Sequence, residues 1–576
     1  MTPGANLPSA ARVWLPALRR PWHFALRLIG AGWLAWTVGT AHPFTDVITE
    51  DAGRFAALLS SPVAERRVEG VQGLANLKHW PAESAVLRLL EDVSPSVRRE
   101  AVLALGRLGG ARAIPRFIEL LDDASWEIRQ NAWLGLGRMT AQDFAATKKT
   151  AWAKWWAEST LAQKEQALLS RAIGPPNTVA GGGTNAAYAS TAPGRRGRQR
   201  ASLLPPAHLQ RRDALRALVH LASPSSVDAL LGLLQQPQSP PLDADERNFL
   251  CEALERTSSA RAIPVLAAQR SDAAAWALGS LGGDEAERAL LGFPRTLSTL
   301  LALDRLRSTN AGPFLPELVS QMGQISYRSQ PDDVMNEDLQ PIQRVGANLI
   351  RRSGHAPVFI ECALQELEDT MKPPVAHGPR PAAPAGWDEM FKRMRSELKP
   401  GFVREDGTTT SQPVVAMCYS ATNPGLASRL APLLKHPAVV VRVYVALLLG
   451  RLHAHEALPA MVEMIREGYT FSDSVALASG KHFDQSQNVR WRGFVCLALG
   501  RMGGGEARKA LEKFAASPQE ARDIRYSAVV GLGFIGSPDS LPVLERVASE
   551  DIIWLVRDEA RQVARNIQLT KQESRR

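Results

Sequence analysis

RREAVLAL at 98–105 lies between two close relatives, RVEGVQGL at 67–74 and RQNAWLGL at 129–136. The arginine that opens each copy recurs at a constant period of 31 residues, and apolar residues follow it at helical spacing. A small residue stands eight positions after each arginine. Fixed periods of about 30 to 50 residues with two amphipathic segments each are typical of stacked helix pairs. The sequence therefore predicts an all-α fold, an α-α superhelix.

The same frame returns near the C-terminus, where Arg492, Arg525 and Arg557 follow one another at periods of 33 and 32, and a weaker copy begins at Arg442. The second helix of each pair has its own signal, because Ala-Arg-Ala-Ile-Pro occurs at both 111–115 and 260–264. Proline suits the first turn of a helix, where its missing N–H is not needed. Glycines stand just before several of these helices, at 109–110, 503–505 and 536, and predict left-handed caps that end the preceding helices.

The pattern [VI]-R-x-x-A-x-x-[AG]-L-G-x-[LIM] stands at 97–108 and 128–139 and, slightly degraded, at 524–535. It resembles the HEAT repeats, particularly the short form named after the phycobilisome lyases, and so an armadillo-like α-solenoid. The resemblance implies a ladder of Asp and Arg residues along the stack. The pairs separated by six residues are Asp92/Arg98, Asp123/Arg129 and Asp551/Arg557, whereas Gln519 and Ser486 stand where the acid is expected before Arg525 and Arg492.

The composition shifts along the chain predict six segments. They are an export signal or short membrane anchor at 1–41, an N-terminal HEAT block at 50–170, a flexible basic Gly/Pro/Ala linker at 171–206, a degenerate helical-repeat block at 207–370, a Pro-rich break with one helix at 371–410, and a C-terminal HEAT block at 411–569. The two linkers are expected to interrupt the solenoid.

The first 41 residues have the order of a secretory signal. Four arginines precede an uncharged stretch from Leu28 to Val38, and Gly39-Thr40-Ala41 supplies the small residues of a cleavage site. We therefore expect an exported chain, periplasmic or secreted, that starts near His42. The alternatives are a membrane anchor through residues 22–44, which is short for a bilayer, and a cytosolic amphipathic helix.

The basic character of the chain is local. The formal net charge is +10, but residues 1–41 contribute +4 and residues 171–212 contribute +7, which leaves −1 for the rest. This distribution disfavours a nucleic-acid-binding face, which needs Lys and Arg clustered on a folded surface.

No catalytic, cofactor or metal site is expected. Four isolated cysteines lack any CxxC spacing and are read as small buried hydrophobes (Cys251, Cys362, Cys418, Cys496). The pair His453 and His455 is read as part of a solvated turn between helices, and one such pair falls short of the several His–Glu pairs that di-iron HEAT hydroxylases use. The chain has no GxSxG, HExxH or Walker loop.

One insertion is the candidate binding feature. The arginine period stretches to 50 residues between Arg442 and Arg492, and the extra segment carries aromatic and charged residues (Tyr469, Phe471, Asp473, Lys481, His482, Phe483). Insertions in solenoids project as loops from one face, frequently the binding face.

The leading function is a non-enzymatic scaffold that binds a protein partner along its inner helices. The alternatives are a nucleic-acid-binding HEAT-like solenoid, since DNA glycosylases of that architecture exist, and a bilin lyase-like protein, which only the family resemblance suggests. The partner's identity does not follow from the sequence, and contact with a membrane is expected only if the leader stays uncleaved.

Overall fold

The structure is a computed structural model that describes residues 45–173, 206–238, 241–322, 341–371, 374, 377–384, 386–398, 412–467 and 485–573. Within these residues the regular structure is helical throughout, with α-helices and short 3₁₀ turns and no strand, which confirms the predicted all-α superhelix. The chain forms two compact units, one from Thr45 to Ser308 and the other from Thr309 onward. The boundary lies inside the block 207–370.

The first unit contains fifteen helices in its described residues. They are α1 (Val47–Leu58), α2 (Ala64–Asn76), α3 (Glu83–Arg88), α4 (Pro95–Leu108), α5 (Ala113–Glu119), α6 (Trp126–Thr140), α7 (Lys149–Glu158), α8 (Leu161–Ile173), α9 (Pro206–Leu221), α10 (Val227–Gln235), α11 (Ala244–Thr257), α12 (Ile263–Gln269), α13 (Asp272–Leu281), α14 (Gly283–Leu291) and α15 (Leu297–Arg305).

The inner helices of this unit form a closed row, in which the last helix packs against the first. Helices α2, α4, α6, α9, α11, α13 and α15 each pack against the next, and α15 packs against α1, which in turn packs against α2. A buried hydrogen bond of 2.8 Å from the backbone N–H of Val47 to Oδ2 of Asp304 joins α1 to α15. The shorter helices, such as α3, α5, α10 and α12, lie outside this row. Residues 45–308 are therefore a closed ring of helices.

The second unit has thirteen helices among the residues described. They are α16 (Leu315–Gln321), α17 (Pro341–Arg352), α18 (Ala356–Asp369), α19 (Trp387–Glu397), α20 (Gln412–Ser420), α21 (Ala427–Leu430), α22 (Val439–Arg451), α23 (Leu458–Glu467), α24 (Gln485–Met502), α25 (Gly504–Ala515), α26 (Arg522–Ile535), α27 (Leu541–Glu550) and α28 (Trp554–Glu573). Its inner row runs α17, α20, α22, α24, α26, α28.

Several arginines of the repeat motif join their own repeat to the next. Arg67 forms a two-pronged pair with Asp92, 2.7 Å to each carboxylate oxygen, and Arg525 pairs with Asp551 in the same way. The residues separated by six positions interact in a different way. Arg98 donates to the backbone carbonyl of Asp92, and the carboxylate of Asp92 binds the arginine of the preceding repeat, Arg67. The ladder that the resemblance implies therefore runs between repeats.

One ladder partner differs from the expected position. The sequence at 519 lacks an acid, but Glu520 takes the role and lies 2.8 Å from Nη2 of Arg492. A glutamate side chain is one methylene longer than aspartate, so it reaches the arginine from the next position.

The small residues of the repeat motif allow inner helices to approach closely. A Cβ atom on Gly500 would lie 2.6 Å from the Cα of Gly531, and one on Gly450 would lie 2.4 Å from the carbonyl oxygen of Ala498. Real Cβ atoms do not approach neighbours this closely, so larger residues would force the helices apart.

The glycine caps are only partly of the predicted kind. Gly536 ends α26 in the left-handed conformation, with φ 64° and ψ 19°. Gly503 has positive φ but a ψ of −168°, and Gly109 has φ −64° and is extended. At Gly109 a Cβ would lie 2.5 Å from the carbonyl oxygen of Leu105. The constraint at this position is close contact, and the prediction of a left-handed cap was wrong there.

In the predicted Pro-rich break, residues 377–384 lie along α18. Arg380 and Arg395 both bind the buried carboxylate of Glu366, and the amide nitrogen of Gln365 donates to the carbonyl of Gly378. Trp387 is buried, with its ring centroid 5.8 Å from that of Phe359 in an edge-to-face arrangement. This segment is thus anchored by charge at one point and by aromatic packing at another.

Candidate functional site

The insertion predicted to bind a partner lies outside the described residues. Helix α23 ends at Glu467 and α24 begins at Gln485. The structure is silent on the six named positions (Tyr469, Phe471, Asp473, Lys481, His482, Phe483), and their role stays a prediction.

A repeated pair of exposed residues marks the inner face of the first unit. Helix α4 carries Leu103 and, one turn later, Arg107, while α6 carries Leu134 and Arg138 at the same places in the next repeat. Leu103 is 42% exposed and Leu134 is 39% exposed, whereas Leu105, two residues after Leu103 on the same helix, is fully buried. Residues four apart lie on one face of a helix. The two helices therefore present a matching stripe of leucine and arginine to solvent.

Arg216 of α9 completes a group of three arginines with Arg107 and Arg138, which we call the arginine cluster. Arg138 is exposed, yet desolvation by its neighbours lowers its pKa, and the like charges of Arg216 and Arg107 lower it further, while the charge of Glu252 acts in the opposite direction. Arg216 has an ion pair of 3.3 Å with Asp213. In the part of the chain that the structure describes, no carboxylate forms an ion pair with Arg107 or Arg138.

The C-terminal ends of several inner helices meet beside this cluster. Arg256, at the end of α11, donates from Nη2 to the carbonyl oxygens of Leu108 and Gly109, and its guanidinium lies 3.8 Å from the ring centroid of Trp80. Nδ1 of His220 donates to the Gly109 carbonyl over 2.7 Å. Helix C-termini carry partial negative charge and favour cations. Arg256 and His220 therefore satisfy carbonyl oxygens at the end of α4 that would otherwise be buried without hydrogen-bond partners.

Buried ionisable groups surround this junction. Burial lowers the pKa of His220 to about 3, so the ring is neutral at physiological pH. Burial raises the pKa of Glu255, against the opposing effects of the Ser280 hydroxyl and Arg305. Ser280 donates to Glu255 and accepts from Arg305, which links α11, α13 and α15 in one chain of hydrogen bonds.

A further buried acid lies where α2 packs on α1. Desolvation raises the pKa of Glu69 to about 7, although the charges of Arg54 and Arg66 act in the opposite direction. Its protonation therefore changes near neutral pH.

The cysteines and histidines lie where the sequence predicts. All four cysteines are free and buried, and burial raises the pKa of the thiols of Cys251, Cys418 and Cys496 to about 12. His453 lies in the turn between α22 and α23, where its Nδ1 is 3.0 Å from the carbonyl oxygen of Met502. Across the residues that can be described, no group of three metal-binding side chains occurs.

The arginine cluster was missed in the sequence, although a signal exists for two of its members, Arg107 and Arg138. Leu-Gly-Arg followed by Leu or Met stands at 105–108, 136–139, 449–452 and 499–502, with its arginine nine residues after each ladder arginine. The net charge of −1 outside leader and linker conceals this local grouping of like charge.

Comparison with known proteins identifies the repeat. Residues 52–146 and 480–565 match the family model described as HEAT repeats, so both units carry them. No curated protein matches the chain significantly. No described helix is both long enough and apolar enough to span a bilayer.

The chain is also similar to solved helical structures. An engineered protein is 16% identical over 90% of this chain and 99% of its own, with a TM-score of 0.18. A chain from a structure of the cadherin and beta-catenin interaction is 13% identical over 97% and 99%, with a TM-score of 0.25. Kap121p bound to Nup53p is 11% identical over 96% and 54%, with a TM-score of 0.22. TM-scores this low give these likenesses no weight for function.

Proposed function

We propose that this chain, with HEAT repeats in both of its units, is a non-enzymatic scaffold that binds a protein partner on the inner face of residues 45–308. The observation that carries the proposal is the matched exposure of Leu103 and Leu134 on adjacent inner helices. A leucine that the fold leaves exposed contributes apolar area to a contact only when a partner covers it. Arginine beside an apolar anchor is typical of energetically important interface positions.

The proposal is tested by pairing leucine substitutions with a matched control. We expect the double variant Leu103→Ser/Leu134→Ser to lose at least tenfold in affinity for the partner recovered from the native host, about 1.4 kcal/mol. Val93→Ser is the control, because Val93 is 91% exposed but lies in a turn outside the inner row. Equal affinity of the leucine variant and the control would place the binding face elsewhere.

We also propose that the protein acts outside the cytoplasm or in the cell envelope. The support is the order of basic, apolar and small residues in 1–41. The expected mature chain starts near His42 and therefore keeps Val47, whose N–H closes the ring. Intact mass of the protein from its native host decides the matter: a chain that retains Met1 contradicts cleavage.

A further inference from the structure

The arginine cluster has a charge that the described residues do not balance. Arg107 and Arg138 extend from the last turns of adjacent inner helices, and Arg216 on the third helix is close enough to lower the pKa of Arg138. Asp213 balances Arg216, and Glu252, whose charge acts on Arg138, also pairs with Lys78, so Arg107 and Arg138 carry the positive charge that remains. Like charges held together on a fixed scaffold favour an anionic partner, because binding removes their mutual repulsion.

Helices α4 and α6 pack side by side beneath the cluster. Gly106, which precedes Arg107, lies beside Gly135 of α6. Packed helices lie about 8–10 Å apart. Arg107 and Arg138 stand nine residues after Arg98 and Arg129 and therefore form a short row of two charges across α4 and α6. In α9 the same position, nine residues after Arg211, is His220, and Arg216 lies in register with Leu103 and Leu134.

A polyproline II helix fits this row. It has three residues per turn and rises about 3.1 Å per residue, so side chains three residues apart lie on one face about 9 Å from each other. That distance matches the spacing of neighbouring inner helices. Leu103 and Leu134 lie one helical turn before the arginines and form a parallel apolar row. A peptide with carboxylates at every third position and apolar residues between them would contact both rows.

We propose that the partner segment recognised on the inner face of residues 45–308 is an extended acidic peptide with carboxylates three residues apart. This inference rests on the proposed function and names the chemistry of the partner. Carboxylate is the group that the planar guanidinium binds with two parallel hydrogen bonds, so each arginine specifies one acidic position. The leucine row adds the apolar contact that separates such a peptide from a simple polyanion.

Two fluorescent peptides of identical composition test the proposal with the full chain. The first repeats Pro-Glu-Leu, which places glutamate at every third position, and the second groups the same glutamates together. We expect fluorescence anisotropy to show at least tenfold tighter binding of the first. We also expect binding of both peptides to weaken as salt rises, because exposed charges are screened beyond about 10 Å at 0.1 M.

Charge-matched variants locate the site. Arg107→Gln/Arg138→Gln is expected to weaken the first peptide at least tenfold, whereas Arg112→Gln/Arg288→Gln, which removes two exposed arginines from other surfaces, is expected to leave it unchanged. Circular dichroism and thermal unfolding serve as the check that both variants fold. Equal binding of the two peptides, or equal effects of the two variants, would overturn the proposal.

Three further outcomes separate this inference from the proposed function. Tighter binding of single-stranded DNA than of the acidic peptide, lost in Arg107→Gln/Arg138→Gln, would overturn the acidic-peptide assignment. Loss of the native partner in Leu103→Ser/Leu134→Ser without any peptide binding would show that the face is right and the proposed chemistry wrong. If the native partner binds that leucine variant normally, the proposed function itself fails.

Discussion

At the scale of single residues, neighbouring leucines on α4 have opposite environments. Leu105 is fully buried and Leu103 is 42% exposed, although only two positions separate them. We expect Leu105→Asp to destabilise the first unit by more than about 4 kcal/mol, since it creates a cavity and buries an unpaired charge. Leu103→Asp is the control and is expected to change stability by less than about 0.5 kcal/mol. Urea denaturation of both variants measures this, and equal midpoints would show that the helical phase is wrong.

Glu69 is expected to make the stability of the first unit depend on pH. Its pKa rises from 4.5 to about 7 on folding, so the folded state binds a proton that the unfolded state has already lost. The resulting stabilisation is fully present below pH 4.5 and is lost as pH rises through about 7. The loss is about 3 kcal/mol.

Glu69→Gln isolates this effect, because glutamine has the same shape and does not titrate. We expect the stability of the native protein, relative to this variant, to fall between pH 4.5 and pH 7 in denaturant titrations. Parallel pH profiles for the two proteins would contradict the assignment.

At the scale of elements, the last two arginines of the ladder differ in their partners. Arg525 and Asp551 are almost fully buried and joined by two hydrogen bonds, which with the N–H of Ile553 hold the pKa of Asp551 below its usual range although burial raises it. Arg557 only donates to the backbone carbonyl of Asp551. We expect Arg525→Met to cost about 3 kcal/mol, because it leaves a buried carboxylate without its partner.

Arg557→Met is the matched control and is expected to cost less than about 1 kcal/mol, since it removes a single hydrogen bond. Thermal unfolding of the two variants compares them. A smaller loss for Arg525→Met than for Arg557→Met would reverse the roles given to the two arginines.

The insertion between α23 and α24 is a second candidate contact, separate from the inner face of residues 45–308, and it is tested by deletion. We expect removal of residues 470–486 to leave folding nearly intact, because the cost of closing a loop grows only slowly with its length. Partner binding is expected to weaken at least tenfold, about 1.4 kcal/mol. Capture of the same partner at unchanged affinity would show that the insertion is not part of the binding surface.

Local features followed from the sequence, and features that depend on exact position did not. The repeat at 98–105 predicts an inner helix because its apolar spacing is a property of a few adjacent residues. Glu520 was missed because the ladder depends on reach in space, which a longer side chain supplies from a neighbouring position. Gly109 was misassigned because close contact and left-handed backbone both select glycine.

At the scale of the whole molecule, the closed row of inner helices in residues 45–308 was not foreseen. The hydrogen bond from Val47 to Asp304 joins residues 257 positions apart. Such a contact depends on curvature accumulated over every intervening repeat, so no local pattern encodes it. The second unit and the first share a repeat, and the repeat alone predicted an ordinary superhelix for both.

Closure makes the stability of each inner helix in 45–308 depend on all the others. An open stack has terminal repeats with one neighbour each, so it frays from its ends and loses its repeats in steps. A ring has no terminal repeat, and its last contact forms only after the chain has brought distant segments together, which slows folding. When force is applied to its two termini, this unit is therefore expected to unfold in one cooperative event. The variant Asp304→Ala is expected to unfold in several separate steps instead.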